Sequence, residues 1–389
     1  MIMAQARGGA SQVLIDFETT YGADPTSVAA ISVPYHFPVD IKSTRPLKPS
    51  TVHRPNRNPA MPFYGNRDVK GSLTVPVDLI YLGYWLRALL GAPTTTWPVA
   101  DTLDNAPAVN KTGGLVGIPI TGHAFVAGEP VTIAGTVNYN GNFVIVSKTT
   151  NEIVITATYV AETFEITDTC RTQLRTHVFK PSTSIPSLVI EPGFTNIAQY
   201  FKFNGMKLGQ MAIDFGGDAE LMAKLDFTGA EETASASPYD ASPDTYALTK
   251  FQNRQLSFEE DGGALTTIKS GSLKIGNELD GDSYLAAGDT RFDLPEGDTL
   301  VNAAFKLFFE NRTLYDLAVA GTERSFEVIL TNGVYSLSFL FPEALYTVET
   351  PTIVKGGVYA DFNLEGYYED DAQAAAIVAT LVNAHAAYV

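Results

Sequence analysis

The sequence predicts a mainly β protein: two tandem β-sandwich or barrel folds with short flanking helices, plus a small inserted β-barrel or Ig-like domain. Three observations predict it. Glycine (32), proline (22) and abundant Thr, Val, Tyr and Phe favour strands and turns. Apolar residues alternate with period two, as in Met211, Ile213 and Phe215 and again in Ala223, Leu225 and Phe227, which gives a strand one buried face. A strand running straight into a glycine-stopped helix occurs twice, at Lys70–Gly91 and Thr299–Gly321, which points to one fold used twice.

Along the chain, residues 41–70 come first. Seven bases, Lys42, Arg45, Lys48, Arg54, Arg57, Arg67 and Lys70, stand against one acid, Asp68, and five prolines interrupt the stretch. A long extended loop between two strands is expected. Asp78 can cap a helix running to Leu90, with Leu79, Leu82, Leu86, Leu89 and Leu90 as its apolar stripe and Gly91 as its stop. Between Asp104 and Cys170 only Lys111 and Lys148 are basic, and about five short strands with Gly/Asn turns read as a module inserted at a loop tip. Asn204-Gly205, Asn332-Gly333 and Gly356-Gly357 supply the positive φ of tight hairpins, the last between Tyr346–Val354 and Val358–Leu364. Glu259-Glu260-Asp261 before Gly262-Gly263 reads as a charged hairpin turn. Asn311–Val319 is a second helix, with Leu314, Leu317 and Ala318 inward and Gly321 past its end. Asp371–Ala387, acidic at its start and Ala-rich, is expected as a docked third helix. The division is 1–103 with 171–230 for the first fold, 104–170 for the insert and 231–389 for the second fold.

The chemistry is largely exclusion. Lys and Arg number 26 against 43 Asp and Glu, a net charge of −17, so general duplex binding through a basic face is excluded. The lone Cys170 forms no intramolecular disulfide and no Cys-based zinc site. The five histidines have no metal-binding spacing. Glu278, Asp280, Asp282 and Asp289 miss the calcium-loop pattern, and no phosphate-binding or nucleophile-elbow motif occurs. No catalytic residue, metal or cofactor is expected. Met1–Ala10 is no secretory signal and no apolar run reaches the ~18–20 residues of a membrane span, so a soluble protein without membrane insertion is expected. The charge is uneven: residues 231–371 hold 25 acids and nine bases. A basic arm and an acidic face on one chain predict head-to-tail contact, which closes a ring or grows a filament.

Several stretches, in order, resemble the tail tube (major tail) proteins of long-tailed bacteriophages. They are Glu18–Gly22 (Glu-Thr-Thr-Tyr-Gly), the strand and Leu-rich helix of Gly71–Gly91, and Ser184–Glu191 followed by Tyr200–Leu208. There Met206 stands where Cys is common. The Leu221–Gly229 strand and the Phe305–Gly321 strand–helix complete the series. The resemblance implies tandem tail-tube folds whose sheets join between subunits around a channel. It implies a homo-oligomeric ring of three chains, or alternatively six, stacked into a non-contractile tail tube for DNA ejection. The implied partners are the tape measure, tail terminator and distal tail proteins, with DNA as a non-specific passenger. The implied place is the virion tail, assembled in the host cytoplasm. It makes the seven bases of 41–70 an inter-ring contact arm and the insert an outward decoration. An acidic channel wall is expected to repel phosphates and let DNA slide. The alternative is a β-rich carbohydrate-binding or adhesion protein, which would stay monomeric.

Overall fold

The computed structural model describes residues 5–285, 288–348, 350–351 and 355–389. The chain opens with β1 (Ser11–Phe17), β2 (Ile31–Ser32), β3 (His36–Thr44), β4 (Leu47–Lys48), β5 (Phe63–Tyr64) and β6 (Asp68–Pro76), then α1 (Tyr81–Leu90) and β7 (Thr94–Thr96). Seven short strands follow: β8 (Asp101–Thr102), β9 (Val109–Lys111), β10 (Leu115–Pro119), β11 (Pro130–Ala134), β12 (Gly141–Lys148), β13 (Glu152–Thr156) and β14 (Thr169–Thr172). They form a separate sheet, ordered β8-β14-β11-β12-β13-β10-β9. Its own core includes Val116, Ile118, Val131, Ile145, Ile155, Phe164 and Cys170. Burial pushes the Cys170 thiol up to about 12, so it packs as a small apolar residue.

The chain returns through β15 (Arg175–Phe179), β16 (Leu188–Phe194), β17 (Gln199–Gly216), β18 (Met222–Gly229) and β19 (Glu231–Ser235). The remainder is β20 (Leu256–Glu260), β21 (Gly263–Ala264), β22 (Ile268–Asn277), β23 (Thr299–Phe308), α2 (Thr313–Ala320), β24 (Arg324–Asn332), β25 (Tyr335–Val348), β26 (Tyr359–Tyr367) and β27 (Val378–Asn383).

One strand order is used twice. The first half builds a sheet β3-β6-β18-β17, backed by β2-β1-β16 joined to the N-terminal part of β17 and by β19. The second half builds β22-β23-β26-β25, backed by β21-β20-β24 joined to the N-terminal part of β25 and by β27. The helix lies after the second strand of each set. Even the irregularities repeat, since β3 slips register between His36 and Asp40 against β6 and β22 slips between Ile268 and Ser270 against β23. The halves are joined by β17 against β22, from Gln210↔Gly276 to Gly216↔Ser270, so the two four-stranded sets become one continuous antiparallel sheet.

Both halves share one core. Helix α1 is its centre. Both carboxylate oxygens of Asp78 accept bonds from the backbone N–H groups of Ile80, Tyr81 and Leu82 at 2.9–3.1 Å, which satisfies donors the helix cannot pair itself. Every residue of α1 except Arg87 is buried, and Trp85 packs on Phe227 with ring centroids 5.8 Å apart. Truncating one of its buried leucines to alanine costs about 2–5 kcal/mol. Helix α2 is shallower; Leu314, Leu317 and Ala318 are only half-buried, and Gly321 ends it in the left-handed conformation.

Five local expectations meet different fates. Asn332-Gly333 sits at the β24–β25 hairpin, and Asp261-Gly262 turns β20 into β21. β25 and β26 do pair antiparallel, but their last register pair is Val348↔Phe362, and the connection that holds Gly356-Gly357 includes Glu349 and residues 352–354, which lie outside the described residues. Asn204-Gly205 is not a hairpin. It lies inside the single strand β17, which passes there from the backing sheet to the main sheet. The positive φ of Gly205, 66°, bends the strand instead of reversing it, because Glu18 and Asp24 hold the Asn204 side chain and Glu18 takes the Gly205 N–H. The expected C-terminal helix is also absent, since that stretch contains β27, paired on both sides by β25 and β15. Small Ala379 sits in register between Phe339 and Phe179, a position suited to a strand between two aromatic neighbours.

Candidate functional site

The continuous sheet has one apolar face in the core, with Leu73, Leu225, Met211, Leu273, Ala303 and Leu364 among its buried residues. The opposite face is mostly polar, because period-two alternation sends the remaining side chains away from the core, and Met222, Leu300 and Leu345 are exposed apolar exceptions on it. On β3 and β6 it presents Asp40, Lys42, Thr44, Asp68, Lys70, Ser72 and Thr74. On β18 and β17 it presents Lys224, Asp226, Thr228, Gln210, Ala212 and Asp214. On β22 and β23 it presents Ser270, Ser272, Lys274, Asn302, Ala304 and Lys306, and on β26 Asp361, Asn363 and Glu365. The charges balance closely, at six carboxylates against five lysines. A sixth lysine, Lys269 at the β22 irregularity, lies 4.4 Å from the Tyr359 ring. This face is therefore nearly neutral, and the excess acid of the chain lies elsewhere.

Most of the face's charges are paired. Lys42 meets Asp40 at 2.9 Å, Lys70 meets Asp68 at 3.2 Å and Lys224 meets Asp226 at 3.2 Å, each two residues apart on one strand. Lys306 meets its register partner Asp361 at 3.5 Å. All four pairs are solvent-exposed, so each adds at most about 1 kcal/mol of stability, and their main effect is on the local field.

The seven bases of 41–70 separate into two sets. Lys42 and Lys70 are register partners on the polar face. Arg45 and Arg67 turn inward to Asp289, at 2.9 and 3.7 Å, and so tie the loop base to the body. Lys48, Arg54 and Arg57 are exposed and have no ion pair among the described residues. Between Thr44 and Asp68 the only regular structure is the two-residue pairing of β4 with β5. Leu47, Val52, Met61, Phe63 and Tyr64 are all more than half exposed there, and Met61 reaches 83%. That is an apolar tip with a cationic rim, the composition of a protein contact.

Sequence reasoning missed the buried polar network that pins the loop between β22 and β23. Lys207 is buried; its Nζ donates to Glu296 at 2.8 Å and to the Leu294 carbonyl at 2.9 Å. Arg291 donates to the Gly229 and Gly281 carbonyls and pairs with Asp68 at 2.5 Å. A signal was available, since Arg291 is the sole base between Lys274 and Lys306. Of the acids considered for calcium, Asp289 serves the two arginines and Asp280 accepts the Asp282 N–H. Among the described residues no three His, Cys, Asp or Glu side chains converge as a metal site. His177 and His385 flank Tyr388, with ring centroids 4.8 and 4.7 Å away, and burial lowers the pKa of both imidazoles.

Two edges of the main sheet are open. Among the described residues, β3 is paired with β6 alone, and β25 beyond Ala344 is paired with β26 alone. Beside β3, a cleft of about 580 Å³ separates the two layers of the first half and is lined by Tyr35, Phe37, Val39, Ile41, Phe194 and Phe201. None of the described helices is long and apolar enough to cross a membrane.

No curated protein matches the chain. A family model described as phage tail tube protein matches residues 8–380, which include both sandwiches, the insert and the open edges. The chain therefore belongs to the phage tail tube protein family, a structural component of the virion tail.

Proposed function

We propose that copies of this chain join edge to edge into a closed ring, β25 of one against β3 of the next, and that stacked rings form the conduit through which genomic DNA leaves the particle. The β17–β22 junction inside the chain carries this reading. In the repeated topology β25 corresponds to β17 and β3 corresponds to β22. The two unpaired edges are thus the two halves of a junction the chain already makes once. Repeating it between copies is heterologous, satisfies both edges and closes under rotation. The apolar cleft beside β3 is the matching incomplete layer, which a neighbouring copy would cover.

The curvature favours three copies. At about 4.8 Å per strand with moderate tilt, three chains enclose a backbone radius of roughly 20 Å, room for a duplex about 20 Å wide inside the side chains. Two chains give roughly 13 Å, which side chains would largely fill, and six give roughly 40 Å, far more than a duplex needs. The exposed tip of 45–67 then serves as the contact to the adjacent ring. Neither ring closure nor stacking calls on a catalytic group, metal or cofactor.

Negative-stain electron microscopy of the purified protein is the test. Rings or tubes with a central channel, and three chains per ring by mass measurement, are the expected result. A dispersed single-chain particle at all concentrations would overturn the assembly reading, and a monomer that binds glycan would favour an adhesion role instead.

A further inference from the structure

We infer that the polar face of the main sheet is a charge-compensated wall for double-stranded DNA, in which carboxylates occupy the lysines so that a passing duplex is neither held nor repelled. The inference rests on the channel reading and specifies how the channel treats its passenger. Lys42, Lys70 and Lys224 lie on three consecutive strands, β3, β6 and β18, with Lys42 and Lys70 directly opposite in register. Alone, such a cluster would bind phosphates and release their counterions. Each lysine instead has a carboxylate within 3.2 Å, Asp40, Asp68 and Asp226 respectively. Two like charges in register across a strand pair are unfavourable unless compensated, so these carboxylates also make the arrangement tolerable. The overall charge of −17 would give a different wall if spread evenly, one that pushes phosphates away. The balance on this face removes that barrier as well, and with it the barrier's dependence on salt.

The experiment compares three forms of the full chain: wild type, the face variant D40N/D226N, which leaves Asp68 to its buried partner Arg291, and a control with the same charge change off the face, E165Q/D218N. Assembled tubes are mixed with a short labelled duplex at about 50 mM salt, pelleted, and scored for retained DNA, and micrographs of the same samples record whether tubes form. Wild type and control are expected to retain little DNA. The face variant is expected to retain at least about tenfold more and to release it with rising salt, since each freed lysine steepens the salt dependence by about 0.9 in the log–log slope. Retention by wild type equal to the face variant overturns the inference, as does a face variant indistinguishable from the control. If wild type forms no tubes, the ring reading fails separately. The same three proteins in a gel-mobility assay as soluble chains then decide the charge question by the same comparison.

Discussion

At the scale of single residues, buried charges do most of the specifying. Lys207 and Arg291 each lie in the body with less than a tenth of the side chain exposed, and each is matched by carboxylates and carbonyls, so removing a partner would strand a charge. Asp78 is the titrating case. Burial pushes its carboxyl up to about 6, against the pull of the backbone N–H groups of Tyr81, Ile80 and Leu82. The folded state therefore holds this proton more tightly than the unfolded chain does. The stabilisation is complete below the unfolded value near 3.8 and is lost as pH rises through about 6. A shift of this size corresponds to about 3 kcal/mol. Asp78→Asn should thus flatten the stability profile between about pH 4 and 6. Urea midpoints for both proteins across that window check it, and parallel profiles would show that Asp78 carries no such linkage.

Elements show which signals carry over from sequence to structure. Helix α1 was legible because its apolar stripe, its Asp78 cap and its Gly91 stop agree with one another. The stretch expected as an insert of about five strands contains seven, which make a sheet and core of their own. The C-terminal stretch misled because alanine propensity is weak beside pairing on both edges of β27, and the β-branched run Ile377, Val378, Thr380 and Val382 was the better guide. The polar face was legible in each strand's alternation, but what brings Lys224 beside Lys42 and Lys70 is the β6–β18 pairing, which joins residues such as Thr74 and Lys224 far apart in the chain and which periodicity does not encode. Asn204-Gly205 misled because the same positive φ serves a hairpin or a bend, and only the distant Glu18 decides between them. A Cβ at Gly205 would lie 2.8 Å from the Ala230 Cβ and 2.9 Å from the Tyr21 ring, in a left-handed conformation. Gly205→Val should therefore destabilise the first half by about 2–4 kcal/mol. Thermal denaturation measures this, and a melting temperature within about 2 °C of wild type would mean that the bend tolerates a side chain.

At the scale of the whole molecule, the chain separates the tasks of a tube along its length. In the proposed tube the main sheet would form the wall, the edges β3 and β25 would join laterally, and the exposed 45–67 loop would contact the adjacent ring. The structure sharpens the last assignment. Of the seven bases, Arg45 and Arg67 are committed to Asp289 and Lys42 and Lys70 to the polar face, so the proposed inter-ring contact narrows to Lys48, Arg54 and Arg57. Replacing those three with glutamine should weaken stacking while leaving single rings intact, because in the proposed ring the lateral joint is made by the sheet edges. The exposed charges are screened within about 10 Å at 0.1 M salt, so the effect should be largest in dilute buffer. Replacing Met61 and Phe63 with serine should weaken stacking by a route that salt does not modulate, since apolar burial rather than charge is lost. Tube lengths measured by electron microscopy at two ionic strengths distinguish the two contributions. Unchanged lengths in both variants would remove the loop from the contact between rings, and loss of the rings themselves would assign it to lateral closure instead.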